Sequence, residues 1–135
     1  MTKHAKRAEQ MKTVVEKLIA QKGIGCEVEV GELGALLEEE YPDFPEGSVL
    51  PQDYCYDRVN KDRQSTSNPR LFKLVRRGVY ACLGENYPYG EPMYTFPKDT
   101  GEKIHVGNWE NGFFTPNENW EKCGLKEPTF KNVKK

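Results

Sequence analysis

Residues 47–61, GSVLPQDYCYDRVNK, decide which fold the sequence predicts. Ser48 is a suitable N-cap for a helix, and Pro51 falls within the first turn, where a proline is tolerated. The apolar residues that follow have the spacing of one helix face. These inward-facing residues are Leu50, Tyr54, Cys55 and Val59. The stretch therefore predicts a helix over 49–61.

The segments on either side of this stretch complete a recognisable order of elements. Residues 70–83 predict a β-hairpin with its turn at 76–78. Before the stretch, helical periodicity predicts a helix over 3–22, alternation predicts a short strand over 26–30, and leucine spacing predicts a second helix over 32–41. The order of helix, strand, helix, helix and hairpin predicts a winged helix-turn-helix, with three helices and a β-hairpin wing.

The rest of the chain predicts a small β-rich extension. Residues 93–114 are interpreted as a β-meander that buries Trp109, with a strong hairpin signal at Asn111-Gly112. The last stretch of about 20 residues has lysine-rich ends and is expected to be mobile. The fold class is therefore α+β, with a winged-helix domain over 1–85 and a β-rich C-terminal extension over 86–135.

Composition excludes several classes of protein. Of the 135 residues, 36% are hydrophobic and 30% are charged, and no apolar run approaches the ~20 residues of a membrane span. The N-terminus leads into a charged helix pattern, which is not typical of a signal peptide. The four cysteines lie far apart, so reduced thiols are expected. The sequence thus predicts a cytoplasmic protein with no membrane partner.

Charge is strongly segregated, although the net charge is only −1. Residues 23–57 hold ten acidic residues and no Lys or Arg, whereas residues 58–77 hold seven Lys or Arg and one Asp. Phosphates would be repelled by the first segment and attracted by the second, which runs from the end of the predicted third helix through the wing. Phosphate contacts are local, so a near-neutral total is compatible with a DNA-binding face. The alternative is a solvated basic loop.

The stretch 47–61 also resembles a motif of bacterial and phage winged-helix domains, written GSVLPxDYCYxRxNK. In those domains a Phe-containing strand and a basic glycine turn follow, and the corresponding residues here are Pro69–Lys73 and Arg76–Tyr80, then Leu83-Gly84. Similar modules occur as free-standing uncharacterised proteins or fused ahead of HNH-type nuclease domains. The resemblance is most specific over 47–84, and it implies DNA binding.

The resemblance and the charge pattern together predict a non-catalytic protein that docks helix 49–61 and wing 70–83 on duplex DNA. Basic residues are expected to contact phosphates or guanine, and polar residues on the helix are expected to face bases. The predicted DNA-binding residues are Gln52, Tyr56, Arg58, Asn60, Lys61, Arg63, Arg70, Lys73, Arg76 and Arg77. Tyr54, Phe72 and Tyr80 are expected in the core instead.

Two other functions stay open. A protein-interaction module of phage or mobile-element type, such as a nuclease inhibitor, would use the acidic surface over 27–57 to meet a basic partner. An enzyme would have its site around His105 and Trp109. His4 and His105 are isolated, so no HNH signature exists, and the cysteines lack the spacing of a zinc site. The sequence predicts no catalytic residue, no metal and no cofactor.

Overall fold

A computed structural model describes residues 3–61, 65–97 and 101–134, which form an α+β chain with two separate sheets. Two short 3-10 turns, Glu46–Ser48 and Pro51–Tyr54, precede the second strand. The helices and strands are α1 Lys3–Lys22, β1 Cys26–Glu29, α2 Val30–Glu40, β2 Arg58–Val59, β3 Phe72–Arg76, β4 Val79–Cys82, β5 Pro92–Thr95, β6 Ile104–Glu110, β7 Phe113–Pro116 and α3 Glu118–Lys122.

The first core lies between the two long helices and a three-stranded antiparallel sheet of order β1-β4-β3. The buried residues of α1 repeat at helical spacing, so one stripe of this helix faces the sheet. In α2, Leu33 and Leu37 fill the same core and are fully buried. The β3–β4 hairpin turns at Gly78, whose φ of 78° suits a glycine. The stripe of α1 consists of Met11, Val14, Val15 and Leu18.

The second core lies against a four-stranded sheet of order β2-β5-β6-β7. Its β2–β5 pair is parallel, and the other two pairs are antiparallel. The β6–β7 hairpin turns at Asn111-Gly112, where both residues have positive φ, as this turn requires. Aromatic side chains dominate this core: Tyr56, Tyr89, Trp109, Phe114, Trp120 and Phe130.

Residues 54–59, here called the connecting segment, contribute to both cores. Cys55 is fully buried in the first core, and Tyr56 is buried in the second. The Tyr56 backbone N–H donates to Phe72 O at 2.8 Å, and its hydroxyl donates to Gly84 O at 2.7 Å. The Trp109 indole N–H donates to Tyr56 O at 2.8 Å. The segment therefore joins the two sheets through buried hydrogen bonds.

Most elements that local patterns predict are confirmed. The structure contains the predicted helix over 3–22, the short strand, the second helix, the hairpin and the meander. The mobility expected of the last residues stays a prediction, while in the described part of the tail α3 packs against β6 and the Lys134 N–H donates to Phe114 O at 2.7 Å. Its apolar residues Trp120 and Phe130 are buried in the second core. The division into domains at residue 85 stays a prediction.

The winged-helix prediction is wrong, because residues 49–61 do not form a third helix. They form a 3-10 turn and the short strand β2. Tyr54, Cys55 and Tyr56 are all buried, whereas an amphipathic surface helix buries only one stripe. Cys55 has extended dihedral angles, and Tyr54 O accepts a hydrogen bond from the Leu71 N–H at 2.7 Å. Pairing with the segment that leads into β3 replaces the local helix, so the chain is not a three-helix winged helix.

None of the helices among the described residues is long and apolar enough to span a membrane. The longest of them, α1, carries charged side chains along its exposed face.

The backbone at Gly107 on β6 lies against the Phe114 ring and the backbone of β7, with no room for a side chain. A Cβ atom there would lie 2.7 Å from Thr115 O and nearer still to the Phe114 ring. We expect Gly107→Ala to lower the free energy of unfolding by about 2 kcal/mol, because overpacking displaces buried neighbours. Urea denaturation measures the change. Gly90→Ala is the matched control, since nothing lies within 4 Å of a Cβ at Gly90. Equal stabilities of the two variants would contradict the prediction.

Candidate functional site

The structure does not bring the ten predicted DNA-binding residues together on one face. Two of them, Tyr56 and Arg70, lie in the interior and are only 2% exposed. Gln52, Lys61 and Arg77 are exposed, and Arg63 lies outside the described residues. The predicted docking of a helix over 49–61 has no structural basis, since that helix is absent.

Arg70 has a structural role instead of a place at a surface. Its guanidinium Nη2 donates to Asp53 O at 2.6 Å and to Ser65 O at 2.7 Å. The guanidinium carbon lies 4.9 Å from the centroid of the Phe130 ring. Burial lowers the pKa of Arg70 to about 10. Arg70 therefore links the 3-10 turn, the loop at Ser65 and the C-terminal tail.

Other predicted contacts already have partners within the chain. Lys73 forms an ion pair with Glu91 at 2.7 Å, and Arg76 forms one with Glu27 at 3.5 Å. The Asn60 amide donates to an Asp53 carboxylate oxygen at 2.7 Å. Exposed ion pairs contribute little to stability, so the two basic side chains remain accessible to an anion. They do not form a continuous basic surface, because each has a carboxylate beside it.

Arg58 belongs to a different surface, the outer face of the second sheet. Arg58 on β2 pairs in register with Tyr94 on β5, and Tyr94 pairs with His105 on β6. The neighbouring residues along these strands point into the second core, so these three side chains form a row on the opposite face. We define the outer face by six residues: Arg58, Tyr94, Phe96, Lys103, His105 and Asn108.

Rings and cations alternate on the outer face. The Tyr94 and His105 rings have centroids 5.8 Å apart. Lys103 Nζ lies 4.5 Å from the Tyr94 centroid, and the Arg58 guanidinium carbon lies 4.3 Å from the Phe96 centroid. Phe96 is 44% exposed. The arrangement presents flat π surfaces to solvent, with positive charge held beside each of two rings.

Amide side chains fix the orientation of His105. Its Nε2 atom lies 2.9 Å from the Asn108 Oδ1 atom, and because an amide oxygen only accepts, this hydrogen bond requires the tautomer with a proton on Nε2. Amide nitrogens of Asn117 and Asn119 donate to His105 O at 3.1 and 3.0 Å. The contact at Nε2 orients the ring, and the two bonds to His105 O hold its backbone. They give His105 no carboxylate partner of the kind that a general base commonly has.

No group of three or more His, Cys, Asp or Glu that could hold a metal ion occurs within residues 3–61, 65–97 and 101–134. Burial raises the pKa of the Cys55 thiol, mainly by desolvation, so this thiol is a poor nucleophile. The arrangement on the outer face is suited to binding a ligand by stacking and charge.

Sequence reasoning found only Arg58 among the outer-face residues as a DNA contact, and it considered His105 only for a catalytic site. A usable signal was present in the run Met93-Tyr94-Thr95-Phe96. Strand alternation with Met93 and Thr95 inward puts Tyr94 and Phe96 on the solvent side. In the structure Tyr94 is half-buried on β5 and Phe96 is exposed just after this strand, and cations accompany both rings.

Comparison with known proteins gives a family and a relative. The family described as "Domain of unknown function (DUF7225)" matches residues 6–115. The uncharacterised protein YnaC of Bacillus subtilis (strain 168) is 36% identical over 81 residues, which cover 60% of this chain and 30% of YnaC. The match therefore spans less than a third of the length of that relative. No solved structure matches the chain.

Proposed function

Since the chain belongs to this family of domains of unknown function, we propose from its own geometry that it binds single-stranded nucleic acid across the outer face. One observation carries the proposal: the row of Arg58, Tyr94 and His105 across three strands, flanked by the cation-paired ring of Phe96. Every base has a π face, so such a platform accepts bases without regard to sequence.

Stacking would supply most of the affinity. A base stacked on an exposed aromatic side chain contributes about 1–3 kcal/mol. The accessible sides of Phe96 and Tyr94 offer two such positions, and Arg58 and Lys103 lie close enough to meet the phosphates on either side. The Asn108 amide adds a hydrogen-bonding group at the edge of the platform.

A single strand fits this surface better than a duplex does. Reading a duplex requires an element that enters a groove, commonly a helix in the major groove. The helix predicted for that task is absent. A sheet face with an exposed ring instead requires bases that are free to unstack, which single strands supply. A cytoplasmic location belongs to the same proposal and agrees with four free cysteines.

Removing one ring from the outer face tests the proposal. We expect Phe96→Ala to weaken binding of a fluorescently labelled single strand of about 20 nucleotides by about tenfold, the loss of one stacked base. Fluorescence anisotropy over a salt series measures the affinity. Lys103→Ala should also reduce the slope of log affinity against log salt by about 1, because one phosphate contact is lost.

Val75→Ala is the matched control for this experiment. Val75 is 42% exposed, close to the 44% of Phe96, but it lies on β3 in the first sheet. Its removal should leave the affinity unchanged. Equal weakening by both variants would indicate nonspecific hydrophobic contact. No binding at low salt, or tighter binding of the duplex of the same sequence, would overturn the proposal.

A further inference from the structure

An open groove lies between α2 and the loop that follows this helix. It has a volume of about 590 Å³. The helix lines one side with Val30, Gly34 and Ala35, and the following loop lines the other with Pro42, Phe44 and Val49. We call this the α2 groove. Its lining combines these apolar residues with the carboxylates of Glu38 and Glu46, and it shares no residue with the outer face described above.

Glycines on α2 leave the floor of the groove open. Gly31 and Gly34 have ordinary helical φ, and a Cβ would meet nothing within 4 Å at Gly31 and only Val49, at 3.7 Å, at Gly34. The packing of the chain would therefore accommodate a side chain at both positions, so internal packing does not explain why they are glycines. Glycine in a helix costs about 0.5–1 kcal/mol relative to alanine. The missing side chains instead allow another backbone to approach α2 closely.

Two carboxylates in the lining favour a ligand with positive charge. Glu38 and Glu46 line it, and no Lys, Arg or His is among the described residues that line it. Glu38 lies near the C-terminus of α2, where the helix dipole is also negative and no basic residue occupies the last turn. Glu40 differs, because it forms an ion pair with Lys17. Glu38 therefore gives the α2 end of the groove a negative potential, while the Arg7 guanidinium carbon lies 5.5 Å from the centroid of the Phe44 ring.

We propose that the α2 groove docks a basic amphipathic helix of a partner protein. Leucine-sized side chains on the apolar face of that helix would fill the groove, as in other helix-in-groove complexes. Lysine or arginine side chains beside them would pair with Glu38 and Glu46. Charge complementarity selects this occupant over an acidic or a purely apolar one.

The test uses a labelled model peptide of leucine and lysine at helical spacing, about 16 residues long so that it forms a helix on binding. Fluorescence anisotropy should show micromolar affinity. Ala35→Met, which fills the groove from an exposed helix position, should weaken binding at least about tenfold, and so should Glu38→Lys combined with Glu46→Lys. Ala20→Met is the matched control, because Ala20 is exposed on α1 and does not line the groove.

Three results would overturn this proposal. The first is an affinity that Ala35→Met leaves unchanged, and the second is equal binding of a peptide with glutamate in place of lysine. The third is the absence of peptide binding by the wild-type protein while its circular dichroism shows the folded helices. Concentration-dependent dimerisation that Ala35→Met abolishes would make a second copy of this chain the occupant instead. Phe96→Ala should leave peptide binding unchanged, so this proposal and nucleic-acid binding fail independently.

Discussion

Trp109→Ala is expected to lower the free energy of unfolding by about 4 kcal/mol, the largest loss from any single substitution considered for this chain. The Trp109 ring lies between aromatic neighbours, with centroid distances of 4.8 Å to Tyr56, 5.2 Å to Phe114 and 5.6 Å to Phe130. Alanine would leave a cavity among them and would also leave the buried Tyr56 carbonyl without the indole donor. Equilibrium urea denaturation measures the loss.

Trp109→Phe is the control for this substitution. Phenylalanine keeps most of the ring contacts and loses only the indole N–H, so we expect a smaller loss of about 1–2 kcal/mol. Both tryptophans lie in the second core, whereas α1 and α2 lie in the first. In the Trp109 variants, Trp120 fluorescence therefore reports on the second core, and the circular dichroism of α1 and α2 reports on the first. A loss below about 1 kcal/mol for alanine would show that the tryptophan is not central to the packing.

Arg70→Ala is expected to lower the free energy of unfolding by about 3 kcal/mol and to change nucleic-acid affinity little in the folded protein. The substitution removes the shared donor of Asp53 O and Ser65 O and the contact with the Phe130 ring. Ser65 O would then be left without this donor in a buried environment, which costs about 1–3 kcal/mol, whereas Asp53 O keeps the Asn68 amide donor at 3.2 Å. Urea denaturation and anisotropy below the unfolding transition separate the two effects.

Arg70→Lys provides the comparison. A lysine keeps the positive charge but lacks the planar fork of donors, so the geometry that reaches two carbonyls is lost. We expect this variant to be destabilised almost as much as the alanine variant. If Arg70→Lys had wild-type stability, charge alone would be sufficient, and the structural role assigned to the guanidinium would be wrong.

The sequence predicts well those elements that depend on local spacing. The stripe of α1 and the Asn111-Gly112 turn are determined by residues only a few positions apart, and both appear in the structure. The failure over 49–61 has the opposite cause. Tyr54 and Cys55 satisfy a helical pattern, but their backbone pairs with residues near Leu71, more than fifteen positions away. A periodicity argument contains no information about such partners.

The candidate site was predicted poorly for a related reason. The charge pattern predicted Arg70 and Lys73 as DNA contacts. In the structure Arg70 is buried and hydrogen-bonded to Asp53 O, and Lys73 forms an ion pair with Glu91. The outer face depends instead on the register that puts Arg58, Tyr94 and His105 side by side. These residues are 36 and 11 positions apart, so only strand pairing brings them together.

The connecting segment also limits how evolution can recombine this chain. Cys55 and Tyr56 are adjacent in sequence but serve different cores, so the boundary between the cores does not coincide with a cut in the polypeptide. A crossover at residue 85 that replaced the downstream half with an unrelated module would leave the Tyr56 ring without Tyr89 and Trp109, its contacts at 5.0 and 4.8 Å. We therefore expect the two sheets to depend on each other for stability, because a break between them would expose the Tyr56 ring and leave Tyr56 O without the Trp109 donor.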